Sequence, residues 1–150
     1  MFNLTADGHE AYTAELEQKL SQRPSVVVEL SRARDMGDRS ENAAYKVARS
    51  QLSALDRRIR FLQKLLHTAR VVKPQNIDRV TIGLRVTFES EGKTVSYRIV
   101  DSVQSDLLRG DLSARSPLGS ALMHKQLGDE VNYVTPQGQK ICTITLISYQ

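Results

Sequence analysis

From Tyr45 onward the apolar residues Ala48, Leu52, Leu55, Ile59, Leu62, Leu66 and Ala69 step alternately by three and four. That is the a/d seam of a coiled coil, and it predicts one long helix over residues 39–69, about 45 Å at about 1.5 Å per residue. Upstream, Tyr12, Leu16, Leu20, Val27, Leu30 and Arg34 form a similar but less regular stripe. Only a few residues around Gly37 separate the two stripes, and helices joined so tightly run antiparallel. The expected object is a helical hairpin over residues 1–74 with GDRSEN at its tip. Pro24 removes a backbone donor and crowds the carbonyl four residues back, so a kink or short break is expected there. So long a helix exceeds what the rest of a 150-residue chain could cover, and much of the hairpin is expected to project into solvent.

After Pro74 the period changes to two. Leu84 to Ser90, a turn at Glu91-Gly92-Lys93, and Thr94 to Val100 read as a β-hairpin with Val95, Tyr97 and Ile99 on one face. SPLGSALMHK, from Ser116, reads as a capped short helix with Pro117 in its first turn. Glu130 to Val134, the turn TPQG, and Lys140 to Ile147 form a second hairpin, with Cys142, Ile144 and Leu146 expected inward and Thr143 and Thr145 outward. The fold class is therefore α+β: an N-terminal antiparallel coiled-coil hairpin (1–74), then an antiparallel sheet domain with one short helix (75–150).

Several classes are excluded by what is missing. No run approaches the roughly 18 apolar residues of a membrane span, and no membrane partner is expected. The opening MFNLTADGHE has no basic segment followed by an apolar block, so the expected compartment is the cytoplasm. Cys142 is the single cysteine; it offers neither an internal disulfide nor a cysteine zinc site and reads as a small core residue. His9, His67 and His124 are scattered without a second ligand at helical spacing.

Charge is unevenly placed. Between Lys46 and Arg70 stand seven basic residues and one acid, Asp56. With Leu52, Ile59 and Leu66 at a and Leu55 and Leu62 at d, Lys46 and Arg60 fall at b, Arg49 at e, and Arg57 and Lys64 at f. This face, turned away from the seam, could follow a phosphate backbone or simply be solvated.

The tip also reads two ways. Gly37 can close the first helix, Asp38 can cap the second, and Glu41 three residues later would complete a capping box. Alternatively Asp38 and Glu41 are presented for chemistry. Carboxylates suit a hard cation such as Mg²⁺, which commonly takes only one or two from a protein. An exposed turn offers no third ligand, so such a site would have to be completed by a partner.

Taken together, MGDRSENAAYKVARSQLSALDRRIRFLQKLL, the upstream RPSVVVELSRARDMGD, SYRIV, SPLGSAL, LGDEV and TPQG resemble the bacterial Gre transcript-cleavage factors, and DRSEN with DRRIRFL is closest to the GreB type. The resemblance implies an FKBP-like second domain that docks at the rim of the RNA polymerase secondary channel, and a hairpin that passes down that channel. It implies a monomeric accessory factor, not an enzyme in its own right, that activates hydrolysis of the nascent RNA 3′ end by the polymerase. Asp38 and Glu41 match the tip carboxylates that share Mg²⁺ with the polymerase, with no cofactor bound by the chain alone. Ser40, Asn42 and Tyr45 match supporting positions. Lys46, Arg49, Arg57, Arg60 and Lys64 become candidate contacts to extruded RNA, and Ser116, Pro117, Leu118 and Gly119 fall on the docking segment.

Three positions depart from the family pattern: Ala44 where an acid is common, Arg115 before Ser116-Pro117, and the thinned acidity of DSVQSD over 101–106. A non-cleaving paralogue that regulates polymerase through the same channel is the alternative, and retention of Asp38 and Glu41 argues against it. A chaperone or prolyl isomerase would leave the long hairpin without a purpose.

Overall fold

The computed structural model describes residues 1–37 and 42–150, and the chain divides into two compact units, residues 9–68 and residues 1–8 with 69–150. The sequence reading cut once, between 74 and 75. The opening residues go with the second unit because β1 (Asn3–Leu4) pairs in parallel with β2 (Arg70–Val71).

Two helices dominate the chain, α1 (Ala6–Arg34) and α2 (Ala43–Thr68). Side chains join them at Arg58 and Glu15, at Arg23 and Asp56, and at Asn42 and Ala33, with sequence separations of 43, 33 and 9. Separations that shrink towards the connection define an antiparallel hairpin. Ala48, Leu55, Ile59, Leu62 and Leu65 are the buried residues of α2. The seam therefore follows the expected series through Ala48, Leu55, Ile59 and Leu62, with Leu52 only partly covered, and then shifts: Leu65 is buried and Leu66 only partly so. An undistorted helix drifts relative to a strict 3.5-residue repeat, which brings the g position under cover.

Two expectations for α1 need correction. Of the kink or short break expected at Pro24, the break is absent: helix α1 continues through it. Arg23, its neighbour, holds Asp56 of α2 through two exposed hydrogen bonds of 2.7 and 3.3 Å. Beyond Pro24 the covered face moves by one residue, leaving Val26 half-buried and Val27 exposed.

The second unit is built on a five-stranded sheet in the order β5-β4-β3-β7-β6, formed by β3 (Arg85–Ser90), β4 (Lys93–Val100), β5 (Asp111–Ser113), β6 (Glu130–Thr135) and β7 (Gly138–Ser148). Both expected hairpins are present. Glu91 and Gly92 both have positive φ, 53° and 74°, as a two-residue turn between right-twisted strands requires, and Ser90 pairs with Lys93. The expected antiparallel sheet gains one parallel pair, β4 with β5. A three-residue strand is too short to announce itself by periodicity.

The inward face carries Val86, Phe88, Ile99, Val131, Cys142, Ile144 and Ile147 and is covered by Leu122 of α3 (Pro117–Leu122). Leu146, expected inward, is exposed. The β3–β7 register slips between Thr87 and Phe88, which face Leu146 and Ile144, so Thr145 is the extra residue of a bulge. A one-residue slip reverses every later side chain, and Ile147 takes the core position instead. Cys142 is a buried core residue, and desolvation pushes its thiol up and away from reactivity.

Candidate nucleic-acid and polymerase interface

Asn42 immediately precedes helix α2. Its side-chain Oδ1 accepts a hydrogen bond from the Tyr45 amide at 3.0 Å, and its carbonyl accepts the first helical bond from Lys46 at 3.1 Å. This is an N-cap, which satisfies amides that have no partner within the helix. The sequence reading gave that role to Asp38; Asp38, Ser40 and Glu41 lie outside the described residues. The other end of the same side chain, Nδ2, donates to the carbonyl of Ala33 in the last turn of α1. Tyr45 is half-buried one turn into α2. Asn42 and Tyr45, matched to the tip from sequence, are thus brought to the end of the hairpin that adjoins the tip segment.

Along α2, the basic residues separate into two sets. Arg58 is spent on the hairpin: its guanidinium holds Glu15 through bonds of 2.6 and 2.8 Å and lies 5.2 Å from the centre of the Phe61 ring. Lys46, Arg49, Arg57, Arg60 and Lys64 are all exposed and, among the described residues, none makes an ion pair. Their charges are available to another molecule.

The hydrogen bonds from Arg58 hold the Glu15 carboxyl below the usual range, and those from Arg23 do the same for Asp56. A carboxylate whose folded pKa is depressed stabilises the fold above its unfolded value near 4 and loses that contribution as pH falls through the lower folded value. Glu15→Gln is therefore expected to lower the melting temperature at pH 7 and to flatten its decline between about pH 5 and pH 3. The pair is partly exposed, which limits the difference to about 1 kcal/mol. Parallel acid limbs for the two proteins would contradict this assignment.

In the docking segment, Ser116 is the N-cap of α3, its Oγ accepting from the Gly119 amide at 3.0 Å. A Cβ on Gly119 would lie 1.8 Å from the Ser113 carbonyl oxygen, so glycine is required there by close backbone approach. Leu118 packs against the core, and of the four residues only Pro117 is exposed. A partner at this segment would meet Pro117 with its exposed neighbours Arg115 and Ser120.

Sequence reasoning passed over Arg98. Buried in β4, it holds Asp111 through two bonds of 2.8 and 3.1 Å, and its Nη1 reaches Asp7 at 2.7 Å and Gln150 at 2.8 Å. Burial pushes the Asp7 carboxyl up, but hydrogen bonds from Arg98 and Thr5 and the Arg98 charge outweigh it and leave the pKa below its ordinary value. A charged residue among Tyr97, Ile99 and Val100, on a strand with apolar neighbours, was the available signal: it demanded a partner. Beside it, within the same unit, Thr5 and Gln104 exchange two hydrogen bonds of 2.9 and 2.8 Å.

Among the described residues no group of three or more His, Cys, Asp or Glu side chains comes together to hold a metal. Residues 2–71 match the family described as "Transcription elongation factor, N-terminal", and residues 74–149 match "Transcription elongation factor, GreA/GreB, C-term". The chain is 39% identical to transcription elongation factor GreB of Pseudomonas aeruginosa over 150 residues, covering 97% of this chain and 89% of that one. It is 35% identical to GreA of Sphingopyxis alaskensis over 149 residues, covering 97% and 94%. Relatives of both names match at similar identity, so the expected GreB type is not separated from GreA. A solved structure of the GreA homolog Gfh1 of Thermus thermophilus aligns over 98% of both chains with a TM-score of 0.47 at 22% identity.

Proposed function

The chain belongs to the GreA/GreB family of transcription elongation factors, and from that premise we propose that it binds bacterial RNA polymerase halted by backtracking and stimulates cleavage of the nascent RNA 3′ end. The observation that carries the reading is the construction behind the D-R-S-E segment. Asn42 clamps the last turn of one long helix to the first turn of the other, and the short connection between those turns contains Asp38 and Glu41. Two hard oxygen donors fit partial ligation of Mg²⁺, with the remaining ligands supplied by the polymerase. When bound between the two proteins, Mg²⁺ supplies charge neutralisation and a more acidic water for phosphodiester hydrolysis. Asp38 and Glu41 hold and orient from the hairpin side, Ser40 and Tyr45 support them, and the chain hydrolyses nothing by itself.

The unpaired face formed by Lys46, Arg49, Arg57, Arg60 and Lys64 follows the extruded RNA, with each contact to phosphate releasing counterions. The second unit docks at the rim of the secondary channel through the segment Ser116 to Gly119, with Pro117 as its exposed member. The factor acts as a monomer in the cytoplasm, and among the described residues no helix is long and apolar enough to cross a membrane.

The test is a stalled, backtracked elongation complex whose RNA is labelled at its 3′ end: the protein should release short labelled fragments, and an unchanged RNA would overturn the reading. Reversing Arg57 and Arg60 to Glu is expected to raise severalfold the protein concentration needed for half-maximal cleavage and to weaken its dependence on salt. An unaltered concentration and salt dependence would leave these residues as a solvated face.

A further inference from the structure

Beside the seam, the hairpin unit carries a second 3,4 series on each helix. On α1 it is Lys19, Gln22, Val26, Glu29, Ala33 and Met36; on α2 it is Ala44, Val47, Gln51, Ala54 and Arg58. These residues line two open grooves of about 520 and 480 Å³ that share Gln51 and so form one trough along the hairpin. Large apolar side chains stand open in it: Met36 is 76% and Val47 57% exposed. The unpaired cations of α2, from Lys46 to Lys64, do not line it. A trough of this period fits helices laid alongside it.

Its charges select the occupant. Among the described residues Lys19 makes no ion pair, and Glu29 makes only the exposed 3.4 Å contact with Arg32. The bonds that join Glu15 to Arg58, Arg23 to Asp56 and Ala33 to Asn42 set Pro24 at about the level of Gln51. A twofold axis crossing the hairpin at that level, in the plane of the trough, lays α1 antiparallel against α1 and α2 against α2 of a second copy. Lys19 then faces Glu29 of the other copy, Val47 meets Leu55, and Gln51 meets itself. Arg58, whose charge Glu15 already holds, falls opposite Ala44. No lining residue stands directly opposite a like charge. A parallel pairing instead sets Lys19 against Lys19 and Arg58 against Arg58. We propose that the free protein self-associates through this trough as an antiparallel dimer, in equilibrium with the monomer that acts on polymerase. The pairing does not depend on the cleavage reading.

Sedimentation equilibrium of the full chain measures the dimer directly. A Kd of about 10–100 μM is expected for a small, partly polar interface. Lys19→Glu and Glu29→Lys should each raise it about tenfold, since every change is read twice across the axis, and the two together should restore it. Val47→Glu should raise it at least as much with the helical circular dichroism unchanged, because Val47 is exposed in the monomer. Cys142 is buried, so Gln51→Cys supplies the one accessible thiol and should oxidise to a disulfide-linked dimer, whereas Lys19→Cys should not link to itself. A chain still monomeric at about 1 mM overturns the proposal, and weaker polymerase binding by Val47→Glu would then assign the trough to the polymerase. A dimer indifferent to the charge exchange, or one in which Lys19→Cys links as readily as Gln51→Cys, overturns the antiparallel pairing.

Discussion

Asp38→Asn and Glu41→Gln should each lower the maximal rate of transcript cleavage about a hundredfold or more, with polymerase binding retained. Each substitution keeps the size and shape of the side chain and removes its negative charge. An amide oxygen is a far weaker ligand for Mg²⁺ and a poorer acceptor for a proton from water, so the loss should appear in the rate at saturation. A hundredfold corresponds to about 2.7 kcal/mol of transition-state stabilisation, within what one charged ligand contributes in a metal-assisted hydrolysis. Among the described residues the cap of α2 is Asn42. Single-turnover cleavage, measured beside competition for polymerase with the wild-type protein, separates the outcomes. Loss of binding in step with cleavage would return both carboxylates to a structural role.

Arg98→Ala should destabilise the second unit by about 3–5 kcal/mol, the range for removing one partner of a buried ion pair. Asp111 is as buried as Arg98, with an exposure of 7% for each residue, so truncation leaves a carboxylate without its two guanidinium bonds. Asp7 and Gln150 lose their bonds at the same time. Lysine cannot replace the planar fork that serves three partners, and Arg98→Lys should recover only part of the loss. The double variant Arg98→Met, Asp111→Leu should be more stable than Arg98→Ala, because it leaves no buried charge unpaired at that site, the Asp7 carboxylate being about half exposed. Urea unfolding followed by circular dichroism measures all three. A double variant less stable than the single would show that the charges themselves, and not the penalty of parting them, dominate.

What the sequence made legible follows from how local its cause is. The 3,4 spacing of α2, the two-residue turn at Glu91-Gly92 and the Ser116-Pro117 cap are each written within a few residues, and each stands in the structure. The α+β class and the order of hairpin, sheet and short helix follow from them. The inward placement of Leu146 failed because a bulge at Thr145 depends on how β7 meets β3, a pairing between residues some 58 positions apart. Strand β5 is equally non-local: its three residues are defined by β4 beside them. Pro24 was read by intrinsic preference alone, and helix α1 nevertheless continues through it. In the candidate site, Asn42 and Tyr45 were found by motif, yet the clamp was invisible, since Ala33 takes part through its backbone and no side chain advertises it. Arg98 was passed over because its partners, Asp7, Asp111 and Gln150, come from three distant parts of the chain.

The central claim is that this chain completes a reaction centre belonging to another molecule. It is tested most directly by following one backtracked RNA, labelled at its 3′ end, with polymerase alone, with the protein and free RNA, and with polymerase and protein together at fixed Mg²⁺. The account predicts slow intrinsic release with polymerase alone, none from the protein and free RNA, and rapid release of short 3′ fragments from the combination. Cleavage of free RNA by the protein, or release from the combination no faster than from polymerase alone, would contradict it.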